Sequence, residues 1–140
     1  MRALAVTISN RAAAGVYPDR SGPVLVDLLR RAGCDVVDGP LVIPDGDPVE
    51  EALRDSIAAG YDVVLTTGGT GLTPADLTPE MTRRVLDREI PGIAEARGVR
   101  LSKPHGLKSN VYLELKSPLV GLALYQLIPM TMSPLSQVRP

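Results

Sequence analysis

The chain has 140 residues, enough for one domain with a hydrophobic core and too few for two ordinary ones. Its 44% hydrophobic and 22% charged residues are those of a globular protein, and a formal net charge of -1 carries none of the basic excess that nucleic-acid binding demands. An anionic ligand must therefore be held locally, and the single cysteine, Cys34, excludes an intrachain disulfide and reads as a core thiol at the head of an apolar run.

Residues 4–8 are apolar for too short a stretch to be a signal peptide and predict a first strand, which favours a cytoplasmic protein. A polar, glycine-containing loop follows over residues 9–22. Ser21 is placed to cap a helix over residues 23–32 that stops at Gly33, with Val24, Leu25, Leu28 and Leu29 at helical spacing. A second strand is expected around residues 35–43. Asp47-Pro48-Val49-Glu50 then supplies a cap, a proline at the first helical position and a carboxylate at the third, predicting a helix to Ala59 that stops at Gly60. Residues 62–66 have the short apolar character of a strand covered on both faces. Thr78-Pro79-Glu80 starts a third helix running to about Arg88, and Pro91-Gly92 marks a turn before the short segment 93–96. This strand and helix alternation predicts an open α/β domain.

Composition shifts near residue 97. Residues 1–96 carry 9 Arg and no Lys against 15 Asp plus Glu, whereas residues 97–140 carry 3 Arg and 3 Lys against the single acid Glu114. Residues 112–115 and 119–128 are candidates for a strand and a helix, yet Pro118, Pro129, Pro134 and Pro140 lack clear boundaries beside them. The apolar run 118–130 is shorter than the roughly 20 residues of a membrane-spanning helix. Three origins of this segment stay open: a functional basic extension, an ordinary C-terminal element of unusual composition, or a tail read in another frame. In the last case the single domain, 1–140, would be an inactivated form.

The run Thr66-Thr67-Gly68-Gly69-Thr70-Gly71 ends a strand. Glycines let the backbone approach a ligand closely, and in a parallel sheet the carboxyl ends of the strands form the binding crevice. A helix starting near Pro79 would bring its positive end to the same place. The run is neither a Walker A sequence, since no Lys-Ser/Thr follows Gly71, nor a dinucleotide fingerprint, since the G-x-G-x-x-G spacing is absent. Asp45 and Asp76 follow a strand and the glycine loop respectively, so both are expected at one edge of the sheet. Two carboxylates beside an anion cradle repel each other unless a cation sits between them, which points to Mg²⁺; the plainer alternative is that Asp45 only shapes the turn Pro44-Asp45-Gly46-Asp47.

The segments Ser9-Asn10-Arg11, Tyr17-Pro18-Asp19-Arg20-Ser21-Gly22, Ile43-Pro44-Asp45, Leu65 to Gly71, Asp76-Leu77-Thr78-Pro79-Glu80 and Pro91-Gly92 together resemble the MoaB/Mog molybdopterin-binding family over residues 3 to about 96. The resemblance implies a three-layer α/β/α sandwich, and active members that use ATP and Mg²⁺ to place AMP on the terminal phosphate of molybdopterin. It implies that Asp45 and Asp76 are the essential acids, acting through the metal. Thr67, Gly68, Gly69, Thr70 and Gly71 would line the phosphate or pterin site, with Ser9, Asp19, Ser21 and Gly22 reaching the same ligand from the N-terminal loop. It also implies a trimer or a pair of trimers. Asn10 stands where the family commonly has Asp, and the family's later Ser-Arg pair and Asn-x-Pro-Gly-x-Pro turn have no clear counterpart after Ala96. A binding protein of the same fold that holds molybdopterin without turnover is the alternative.

Overall fold

The computed structural model describes residues 1–88 and 123–127. Its centre is β1 (Arg2–Ile8), in which Arg2 is exposed and the six residues that follow are all buried. Side chains of a strand alternate between faces, and here the two faces differ in size. Ala3 and Ala5 pack against Leu25, Val26 and Leu29 of α2 (Ser21–Arg31). Leu4, Val6 and Ile8 pack on the other side against Val49 and Leu53 of α3 (Asp47–Ala58) and Met81 of α4 (Thr78–Arg83). Small residues let α2 lie close to the sheet, while the branched ones fill the wider gap to α3.

Two strands flank β1, namely β2 (Val36–Ile43) and β3 (Val63–Gly68), and β4 (Ala123–Leu127) pairs with β3, giving the order β2-β1-β3-β4 with every pairing parallel. The chain runs outward from β1 to β2, then back across β1 to β3. With right-handed crossovers that reversal puts α2 and α3 on opposite faces of the sheet. The expected open, parallel α/β sandwich is the fold observed. The loops that leave β1 and β3 diverge to opposite faces, so a crevice opens at the carboxyl ends of these neighbouring strands.

Several sequence expectations are corrected. The buried stripe of α2 is Gly22, Leu25, Val26 and Leu29, positions i, i+3, i+4 and i+7, whereas Val24 and Leu28 are exposed. Residues 10–13 form a one-turn helix, α1 (Asn10–Ala13), inside the expected loop, and Ser9 caps it by accepting from the Ala12 N–H. Helix α3 begins at Asp47 itself, with Gly46 ahead of it and no side chain capping it. Helix α4 stops at Arg83 because Val85 N bonds to Thr82 O, a tighter turn that folds Val85 and Leu86 into the α3 side of the core. Residues 123–127, inside the segment read as a candidate helix, are strand: a short apolar run has no decisive period, and the hydrogen-bonding edge of β3 decides its form. The expected elements at 93–96 and 112–115 and the turn at Pro91-Gly92 lie outside the described residues. Cys34 is half-buried and packs beside the α2 core.

Strand β2 carries two residues, Gly39 and Pro40, where β1 offers only Ala5, so the register breaks between Leu4 and Val6. Proline brings no donor to a ladder and is tolerated at such a bulge.

Leu53 is 1% exposed, in the core cluster that α3 shares with β1, while Leu28 is 42% exposed on α2. Leu53→Ala is expected to destabilise the fold by about 2–5 kcal/mol, and Leu28→Ala by no more than about 0.5 kcal/mol. Urea unfolding of the two variants measures both.

Candidate functional site

The carboxyl ends of β1, β2 and β3 surround a cleft of about 610 Å³, within the range of small-molecule sites. Of the residues picked out by sequence, Ser9, Asp19, Ser21, Asp45, Thr67, Gly68, Gly69 and Asp76 line it. Gly22, Thr70 and Gly71 do not. Thr7, Asn10, Arg11, Tyr17 and Arg20 line it without having been singled out as site residues. Arg11 and Arg20 could have been found from charge: they are basic side chains in the segment that leaves the carboxyl end of β1.

Asp45 is held from three sides. Its Oδ1 accepts from Gly46 N at 2.7 Å and from Thr78 Oγ1 at 2.9 Å, and its Oδ2 accepts from Leu77 N at 3.0 Å. Its own N–H donates to Asn10 Oδ1 at 2.8 Å. Donors at the start of α4 are thus engaged by Asp45, not left free toward a ligand as the sequence suggested. Partial burial raises the Asp45 pKa above its ordinary value; the three hydrogen bonds act against that shift, and the nearby negative charge of Asp76 adds to it. Asp76 is held by its own loop, its Oδ2 accepting from Thr73 N at 3.0 Å and Thr73 Oγ1 at 2.6 Å.

The two glycines between these acids have different reasons. Gly68 (φ +98°) ends β3 beside Ile8, and a Cβ there would collide with the Ile8 carbonyl. Gly69 (φ +63°) lies over the Asp45–Thr78 hydrogen bond, and a Cβ would collide with both partners. One glycine serves the sheet and the next serves the site.

On the opposite wall Asp19, not Ser21, holds the start of α2. Its carboxylate accepts from Ser21 N at 2.9 Å, from Gly22 N at 3.1 Å and from Thr7 Oγ1 at 2.9 Å. Gly22 is buried against Asp19, Pro40 and Thr7, which leaves no room for a side chain. Ser9 shares a hydrogen bond of 3.0 Å with the Tyr17 hydroxyl. The cleft is therefore lined by two basic side chains, Arg11 and Arg20, and by three carboxylates, of which Asp45 and Asp76 are close enough to feel each other's charge and form its acidic wall.

A divalent cation suits the acidic wall. Among the described residues no three His, Cys, Asp or Glu side chains gather into a cage. Two carboxylates whose charges oppose each other, open to a cleft, match the way Mg²⁺ is bound, through one or two carboxylates completed by phosphate oxygens and water.

Gly60 has φ +77° with open space around it, whereas Gly69 combines positive φ with a crowded site. Gly60→Ala is expected to cost about 1–2 kcal/mol through backbone conformation alone, and Gly69→Ala clearly more, as measured by urea denaturation. Asp45 also sets a pH dependence. Its folded pKa lies above the unfolded value, so its contribution to stability is complete below the ordinary carboxylate pKa and is lost as pH rises through the folded one. Without added metal, the melting temperature of Asp45→Asn relative to the parent protein should climb as pH is raised from about 4 to 7. A flat difference across that window in thermal scans would contradict the assignment.

A family model described as "Probable molybdopterin binding domain" matches residues 4–133. The chain is 44% identical over 93 residues to the molybdopterin adenylyltransferase of Haemophilus influenzae, a match covering 64% of this chain and 47% of that protein. The chain spans about half the length, or less, of the curated relatives it matches. Among solved structures it is similar to MogA, at 41% identity and a TM-score of 0.74 over 91% of this chain and 83% of that one. It is also similar to the molybdopterin biosynthesis Mog protein of Mycobacterium ulcerans, at 37% identity and a TM-score of 0.73 over 91% and 82% of the two chains. The conjunction of these matches with the parallel sheet and the cleft at its carboxyl edge settles the classification: the chain belongs to the molybdopterin-binding domain family.

Proposed function

We propose that this protein acts in molybdenum cofactor biosynthesis as a molybdopterin adenylyltransferase, joining AMP from ATP to the terminal phosphate of molybdopterin. The observation that carries the reading is the meeting of Asp45, Asp76, Gly68 and Gly69 in one cleft at the carboxyl edge of the sheet. The names of the Haemophilus influenzae and Pyrococcus furiosus relatives, both molybdopterin adenylyltransferases, support it.

In this reading an oxygen of the pterin phosphate attacks the α-phosphorus of ATP, the bond from that phosphorus to the bridging oxygen breaks, and pyrophosphate leaves. No covalent enzyme intermediate is required. Asp45 and Asp76 would hold Mg²⁺, which would supply charge neutralisation at the phosphate oxygens. The backbone at Thr67, Gly68 and Gly69 admits the phosphates close to the sheet edge, and Thr70 and Gly71 shape the rest of that loop. Arg11 and Arg20 face the phosphates from the other wall, and Ser9, Asp19, Ser21 and Gly22 hold that wall in place. Catalysis is then alignment of two anions that otherwise repel, together with stabilisation of charge in the transition state. One domain over 1–140, a trimer or hexamer, and a cytoplasmic setting complete the proposal. Among the described residues no helix is long and apolar enough to cross a membrane.

One observation favours the second reading, a pterin-binding protein without turnover: both Asp45 oxygens already accept hydrogen bonds from the protein. An assay with molybdopterin, ATP and Mg²⁺, followed by detection of adenylylated pterin and pyrophosphate, separates the two. The enzyme reading expects product, and expects Asp45→Asn and Asp76→Asn to lower kcat by about 10²–10³ while pterin binding persists. Pterin binding with no product from the parent protein would hand the case to the binding reading or to a form inactivated by its C-terminal segment.

A further inference from the structure

The groups that face phosphate and metal leave open how the cleft holds the flat ring at the other end of its ligand. Tyr17 is the one aromatic side chain among the lining residues. It is 43% exposed in the loop between α1 and α2, where a side chain would ordinarily rotate freely, yet it is fixed at two points. Its hydroxyl shares the 3.0 Å hydrogen bond with Ser9 Oγ, and the Arg11 guanidinium lies 5.1 Å from the ring centroid. Ser9 is itself fixed, as the cap of α1 and through its N–H bond to Ile43 O. The anchors therefore run back to the ends of β1 and β2.

An exposed aromatic ring held rigid before any ligand arrives loses little freedom on binding, and a π-face accepts any planar base. The other apolar lining residues offer less, since Ile8 is only 2% exposed, Ala12 is small and Pro18 has no π-face. Resting on the proposed reading of the cleft, we propose that Tyr17, braced by Ser9 and Arg11, is the stacking platform for a planar heteroaromatic ring of the ligand and so a specificity-determining residue. The ring is the adenine of the nucleotide or the pterin, which share this chemistry.

The test titrates the full chain, with Mg²⁺ present, against ATP, a pterin phosphate monoester and inorganic tripolyphosphate, for the parent protein, Tyr17→Phe and Tyr17→Leu. Tyr17→Phe, which keeps the ring and its Arg11 contact but loses the Ser9 hydrogen bond, should raise the Kd of the stacked ligand by clearly less than Tyr17→Leu does and leave tripolyphosphate unchanged. Tyr17→Leu should raise the Kd of the stacked ligand at least about tenfold, the equivalent of about 1.4 kcal/mol, and leave tripolyphosphate unchanged. A loss confined to ATP assigns the platform to adenine, one confined to the pterin phosphate assigns it to the pterin, and either supports the proposal. Unchanged binding of both ring-bearing ligands by Tyr17→Leu overturns the platform while leaving the cleft intact. An equal loss for tripolyphosphate also overturns it, because Tyr17 would then only shape the loop. A parent protein that binds none of the three overturns the reading of the cleft together with the platform.

Discussion

The carboxylate of Asp45 ties together the three loops that leave the three central strands. Its backbone belongs to the turn after β2, its N–H is held by Asn10 after β1, and its oxygens hold Leu77 and Thr78 after β3. A loop connection with few internal bonds is mobile by default; here each of the three is pinned to the same residue. Placing a carboxylate at this junction has a consequence that an amide would not, because partial burial beside Asp76 raises its pKa, so that holding the charge there costs more than it would in water. The junction that holds the cleft together is therefore also a place where an opposite charge would be favourable.

That junction exists only because of how the sheet is wound. Alternating small and branched side chains in β1 assign α2 to one face and α3 with α4 to the other. The reversal of direction after β2 then makes the loops following β1 and β3 part company, and the space between them is the cleft.

Much of this was legible in the sequence, and the failures have physical reasons. The parallel sheet, the starts of α3 and α4 and the convergence of Asp45 and Asp76 follow from strand length, turn residues and the rule that crevices open at carboxyl ends. Misread features were those decided by distance in space. Asp19 replaced Ser21 as the acceptor for the first N–H groups of α2 because its carboxylate also reaches Thr7 on β1, a partner 12 residues away. Val24 and Leu28 lie on the same helix as the core stripe and repeat at the same spacing, so only the position of the sheet tells one stripe from the other. Residues 123–127 take their form from β3. The one-turn α1 is too short for any periodicity, although Ser9 was a legible cap.

The departure at Asn10 becomes intelligible in the same terms. An aspartate there would accept the Asp45 N–H equally well, so the tie between β1 and β2 does not select between the two residues. Charge is what differs. A third carboxylate against Asp45 would push its pKa further up and tighten the demand for a cation, whereas the amide keeps the tie and leaves the acidic wall with two charges. With Arg11 and Arg20 against Asp19, Asp45 and Asp76 in the lining, the amide also keeps the cleft as a whole closer to neutrality. On the proposed function, a wall built this way would attract a cation less strongly when alone, and an affinity for Mg²⁺ would depend more on the phosphates that arrive with it. Metal and phosphate would then enter the cleft as one unit, and the resting protein would keep Asp45 engaged with its own backbone until they do.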